Sequence, residues 1–123
     1  DSQNCTRIGP NPYRGNGEGS ILVNASKEEV MVEINAWISG QSRTQIITES
    51  LDVGYVHSVF QSFIWRFPDD MLFHVECDNE SAVIWVHSES RIGISDLNAN
   101  DNRVLSFVEH SESHEWSGEA CEA

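Results

Sequence analysis

Basic residues are scarce in this chain. Seven Lys and Arg stand against 20 Asp and Glu, a formal net charge of −13, and Lys27 is the only lysine. Such a surface repels phosphate backbones, so nucleic acid is not an expected partner, and it repels an anionic membrane surface as well. It suits a soluble protein in a crowded or salty compartment, or one steered to a basic partner. Long hydrophobic runs are missing too. No stretch approaches the roughly 20 apolar residues of a membrane span, so the chain is expected to carry no transmembrane segment of its own. Neither C-x-x-C nor H-E-x-x-H occurs, and no internal repeat or interdomain linker appears.

Cysteine is sparse and odd in number: Cys5, Cys77 and Cys121. Three cannot all pair within one chain. Cys5 and Cys121 lie near opposite termini, which often approach each other in a domain, and they are the candidate disulfide. Cys77 sits in a strand pattern and reads as a small buried hydrophobe. The chain begins at Asp1 and not at Met, as after removal of a presequence or at a boundary inside a longer chain. The N-x-S/T sequons at Asn4, Asn24 and Asn79 matter only on a secretory route.

What is present points to one domain. The chain has 123 residues, 39% of them hydrophobic, and these cluster rather than scatter. That is enough for a core without staples. Residues 1–19 are rich in Gly and Pro and read as an irregular arm. Residues 20–108 carry the periodic segments. Residues 109–123 are mostly Ser, Glu and His with Trp116, and read as an acidic, flexible tail.

Within the domain, Ser20–Val23 is an edge strand. Ser26 and Glu29 form a capping box ahead of Val30, Ile34, Trp37 and Ile38, which predicts a helix over 27–39 with Met31 and Val32 widening its apolar face. Gly40 closes it. From Thr44 the period becomes two. Strands are expected at Thr44–Leu51, Tyr55–Trp65 (with a bulge near Gln61), Met71–Cys77 and Ala82–Ser88. Turns fall at Asp52-Val53-Gly54, at Phe67-Pro68-Asp69-Asp70 and at Asp78-Asn79-Glu80-Ser81. Asn100 caps a second helix with Val104, Leu105, Phe107 and Val108 on its apolar face. The order predicts an α+β fold: an antiparallel four- to five-stranded meander sheet with two helices on one face.

Four segments carry a resemblance: Asp1 to Cys5, Gly54 to His57, Phe67 to Phe73, and Ser88 to Leu97, the last followed by Asn100 and Arg103. Together they resemble the small family called domain of unknown function 1499, over about residues 1–108. The Ser-Arg-x-Gly-x-Ser-Asp-Leu run, taken with Phe-Pro-Asp-Asp, is the specific part. Asn98 departs from it, standing where glycine is expected. The resemblance implies a fold consistent with the one above, and no activity. Members of the family occur in bacteria and in photosynthetic eukaryotes. With the acidity, the few lysines and the processed-looking start, this makes the thylakoid lumen of a chloroplast the expected compartment. A secreted or periplasm-like compartment is the alternative.

Two sets of residues are candidate sites. The first is a polar centre of Asp69, Asp70, Ser90, Arg91, Ser95, Asp96, Asn100 and Arg103. It reads first as an Arg–carboxylate network that fixes the turn before the second helix. It can also be read as a recess in which Arg91 and Arg103 grip an anionic or carbonyl group, or as an Asp pair sharing a proton in a hydrolase. No separate nucleophile accompanies that pair. The second set is an outward row of Leu72, His74, Val83, Trp85 and His87 on the sheet face away from the helices, which is either a partner-facing surface or the face over which the 1–19 arm folds. His57, His74 and His87 occupy successive strands with Cys77 nearby; His74 and His87 can share a face, but His74 and Cys77 point to opposite faces and no ligand motif occurs, so no metal and no cofactor is expected. The expected function is non-catalytic binding or assembly on a larger, membrane-associated protein complex, as an extrinsic lumenal subunit of a photosystem or light-harvesting assembly. A small-ligand binding domain centred on Arg91 is the alternative, followed by the Asp-dependent hydrolase.

Overall fold

A computed structural model describes residues 5–8, 20–61, 67–91 and 99–122. In chain order the elements are β1 (Cys5–Ile8), β2 (Ile21–Val23), α1 (Lys27–Ser39), β3 (Thr44–Ser50), β4 (Tyr55–Gln61), β5 (Pro68–Asp78), β6 (Ser81–Ser90) and α2 (Ala99–Ser113). One antiparallel sheet runs β1-β6-β5-β4-β3, and β2 pairs with β6 further along the edge that β1 occupies. Strands β3 to β6 are the expected meander, and both helices cover one face of it. The expected α+β architecture is therefore the observed one. No helix among the described residues is long and apolar enough to cross a membrane.

The core follows from the two periodicities. Helix α1 buries Val30, Met31, Ile34, Trp37 and Ile38, and α2 buries Val104 and Phe107. They meet the inward side chains of the strands: Val56 and Phe60, then Met71, Phe73 and Val75, then Ala82, Ile84 and Val86. Trp37 touches Phe107 at 5.1 Å and Phe73 at 6.3 Å, both edge to face, a favourable geometry for aromatic rings. Val32 does not widen the buried stripe; it is 69% exposed.

Two turns set the strand register. Gly54 adopts φ 78°, and a β-carbon there would run into the Val75 carbonyl, so only glycine fits between β3 and β4. Asn79 and Glu80, at φ 51° and 69°, form the two-residue hairpin turn that joins β5 to β6. Of the irregularity expected near Gln61, residues 62–66 lie outside the described residues; up to Gln61, β4 pairs with β5 without a shift. A bulge does occur in β3, between Ile46 and Thr48.

Several local expectations are corrected. Asp69 and Asp70 are strand residues, not turn residues: β5 opens at Pro68, whose missing N–H is tolerated at the first position of a strand. The 1–19 arm contains β1, because a short edge strand can add by backbone hydrogen bonds without an apolar alternation. The 109–123 tail is not loose. Helix α2 continues to Ser113, and the chain beyond it is held at several points. Trp116 packs against the core, Ser117 N–H donates to Glu29 Oε2 at 3.0 Å, Gly118 N–H to the Asn24 carbonyl at 2.8 Å, and Cys121 N–H to the Glu80 carbonyl at 2.9 Å. The tail thus occupies the Glu29 carboxylate of the expected capping box, while Ser26 caps α1 by accepting from Glu29 N–H at 3.1 Å.

The disulfide is also corrected. Cys121 pairs with Cys77, not with Cys5, across a Cα–Cα distance of 5.3 Å. Cys77 is the last inward residue of β5 beside Ala82, at the end of the sheet to which the tail returns. Composition could not show that return.

Candidate functional site

The polar centre divides in two because β5 alternates. Asp69 pairs with Phe60 and Ser90 and points under the helices; Asp70 pairs with Val59 and Glu89 and points to the opposite face. On the helix side, Arg103 from the first turns of α2 places Nη2 3.1 Å from Asp69 Oδ2. Its Nη1 donates to Ser88 Oγ at 3.1 Å and to Asn100 Oδ1 at 3.0 Å. Asn100 donates in turn to Ser90 Oγ at 2.9 Å and accepts from Ser88 Oγ. Asn100 is therefore not the helix cap but a fully buried bridge inside the first turn of α2. The Arg103 guanidinium also lies 4.8 Å over the Phe60 ring, a cation–π contact. Four side chains of the predicted centre (Asp69, Ser90, Asn100 and Arg103), with Ser88, make one buried clamp between α2 and the ends of β5 and β6.

On the other face, Arg91 grips Asp70 with two parallel hydrogen bonds, Nε to Oδ2 at 2.8 Å and Nη2 to Oδ1 at 2.7 Å. His57 Nε2 lies 2.6 Å from the same Oδ1. The Arg91 guanidinium holds the Asp70 carboxyl below the usual carboxylate range, with His57 adding to this and partial burial opposing it. Arg91 and Arg103 therefore cannot grip one ligand together, since the sheet separates them. Asp69 and Asp70 cannot share a proton for the same reason. Ser95 and Asp96 lie outside the described residues.

The predicted outward row is brought together around this second network. Strand register sets four ranks across the helix-free face: Val59–Asp70–Glu89, His57–Leu72–His87, Tyr55–His74–Trp85, and Glu76–Val83–Leu22. His74 stacks on Trp85 at 5.4 Å with rings nearly parallel, and Trp85 Nε1 donates to Ser20 Oγ. Each histidine has its own carboxylate: His57 with Asp70, His74 with Glu76 at 2.9 Å, His87 with Glu89 at 2.9 Å. Val83 is only 7% exposed and adds little surface, whereas its neighbour Leu22 is 66% exposed.

A profile described as Protein of unknown function (DUF1499) matches residues 3–110. The chain belongs to the DUF1499 family. No curated protein and no solved structure matches it. The DUF1499 match takes in both networks, from Asp69 and Asp70 to Arg103, and ends inside α2.

A third group of residues was not singled out from the sequence. Glu33 of α1, His110 of α2 and His114 just beyond it bring ligand-type atoms within 4.8 Å of one another on the helix side. The available signal was the His-x-x-x-His spacing, which places both rings on one face of a helix. It fell in a segment read as an unstructured tail. A recess of about 340 Å³ also opens on this side between α1, β4 and α2, lined by Trp37, Arg43, Phe60, Gln61 and Arg103. It reaches Arg103 and not Arg91.

Proposed function

We propose that this DUF1499 protein is a non-catalytic binding module that docks onto a basic protein surface of a larger assembly through the helix-free face of its sheet. The observation that carries the reading is the composition of that face. Leu72 sits between His57 and His87, and Trp85 stacks beside His74, all half-buried. Aromatic residues with preset polar partners, close to a large apolar side chain, are the usual make-up of a protein contact. Asp70, Glu76 and Glu89 stand on the same face against Arg91, and the whole chain carries −13. That charge favours a basic partner and speeds the encounter. The clamp on the other side of the sheet is saturated by its own partners, which favours a structural role for it over a ligand site.

For the assembly we infer an extrinsic position on a photosystem or light-harvesting complex at the lumenal side of the thylakoid. This part is supported by the family resemblance and the acidic composition alone. Gentle native isolation from the source, followed by mass spectrometry of what travels with the protein, tests both parts. The wild type is expected to run far above its own 13.8 kDa, and to leave the complex as salt is raised. A Trp85→Ala variant is expected to run alone with its fold intact by circular dichroism. Wild-type protein running alone near the monomer mass would sink the docking reading. Migration with an unpigmented complex would keep docking and overturn the lumenal assignment.

A further inference from the structure

We propose that Glu33, His110 and His114 form a binding site for a divalent first-row cation of the zinc class, spanning the two helices. His110 and His114 lie one helical turn apart, and the turn is intact between them, with His114 N–H donating to the His110 carbonyl at 3.0 Å. Glu33 Oε2 faces both rings, 2.6 Å from His110 Nε2 and 3.6 Å from His114 Nδ1. Two imidazole nitrogens and one carboxylate oxygen are ligands that zinc accepts, and a fourth position stays open for water. Tetrahedral ligands about 2.0–2.1 Å from the ion stand about 3.3 Å apart. The three atoms, within 4.8 Å of one another, reach that spacing by side-chain rotation, with the ion taking the place of the Glu33–His110 hydrogen bond.

The surroundings hold the group in place. The His114 ring meets Trp116 edge to face at 4.5 Å, and Trp116 Nε1 donates to the Ser111 carbonyl at 2.9 Å. Ser117 is tied to Glu29, one turn before Glu33 on α1, and the disulfide anchors the tail at Cys121. Side-chain exposures of 20%, 33% and 29% for Glu33, His110 and His114 leave an entry path for an ion. The net charge of −13 draws cations to the surface. The three histidines of the opposite face lack this convergence, since each is paired with a different carboxylate.

The test is zinc titration by calorimetry of tag-free protein, stripped with a chelator and with its disulfide intact. One ion per chain at micromolar affinity is expected. His110→Ala and Glu33→Gln should each weaken binding by about tenfold or more, whereas the His74→Ala/His87→Ala pair should bind as the wild type does. If His110→Ala does not fold, His114→Ala decides, because His114 lies beyond the end of α2. Cobalt should quench the fluorescence of Trp116, and Trp116→Phe should remove that quenching while zinc still binds. Absence of uptake at millimolar zinc overturns the proposal. So does uptake that follows His74 and His87, or unchanged binding in folded His110→Ala.

Discussion

Asp69 and Asp70 are neighbours in the chain, yet their side chains are 6% and 24% exposed and face opposite sides of one sheet. Each is paired with an arginine, and the arginines differ as much as the acids do. Arg103 is 14% exposed, enclosed by Asp69, Ser88, Asn100 and the Phe60 ring. Arg91 is 48% exposed and holds Asp70 from the edge of the helix-free face. The period of two in a strand gave two adjacent carboxylates unlike surroundings and, with them, unlike roles. Taking charges out of water is costly, so a buried pair persists only when its remaining donors and acceptors are satisfied. The Asp69 clamp meets that condition. The Asp70 pair, half in water, contributes little to stability and remains available to a partner.

The largest expected effect is on the clamp. Arg103→Met leaves the Asp69 carboxyl buried without its partner and should cost about 3–5 kcal/mol in urea unfolding. The double variant Asp69→Leu/Arg103→Met should recover much of that loss, since a hydrophobic pair of similar volume can replace a buried ion pair. Nuclear magnetic resonance signals from His57 and Trp85, across the sheet, should stay in place in the folded double variant. A loss under about 1 kcal/mol for Arg103→Met would erase the distinction between the two networks.

The disulfide comes next and sharpens the same contrast. It closes a separation of 44 residues and belongs to the helix side, where it returns the tail to the end of β5. Cys121→Ser should cost about 2–4 kcal/mol. The change should be local in hydrogen exchange: the Gly118 and Cys121 amides, bonded to the Asn24 and Glu80 carbonyls, lose protection first. Equal loss at Leu72 and His74 would show that the helix-free face depends on the tail as well.

Periodic residues made the fold legible, and isolated residues did not. Val30, Ile34, Trp37 and Ile38 announced α1, and the alternation through Met71, Phe73 and Val75 assigned both faces of β5. The outward row came together for the same reason. Six residues of the predicted polar centre lie among the described residues, and their division into two sites was not legible. Reading Asp69 and Asp70 as a turn removed the alternation that separates them. The tail was misread because single contacts hold it: one indole, one serine, one glycine and one cysteine leave no period to detect. Glu33 and His114 were hidden by the same misreading, being 81 positions apart and joined only once the tail is packed.

The smallest expected effect, and the one most specific to the helix-free face, is that of Asp70→Asn. The variant keeps the side-chain shape and removes the charge that Arg91 and His57 face. Because the folded carboxyl titrates below its unfolded value of about 3.9, its contribution is complete above that pH and is lost as pH falls through the lower, folded value. At neutral pH and low salt the variant should melt about 1–4 °C below the wild type, the range for exposed pairs in a small domain. The gap should close as the solution is acidified below the carboxylate range, because wild-type Asp70 is then neutral as well. It should also shrink in molar salt, where an exposed pair is screened and the buried clamp is not. A gap that survived both acid and salt would mean that Asp70 acts through packing. In that case Asp70 would belong with Asp69 as a structural residue, and the helix-free face would lose its preset polar anchor.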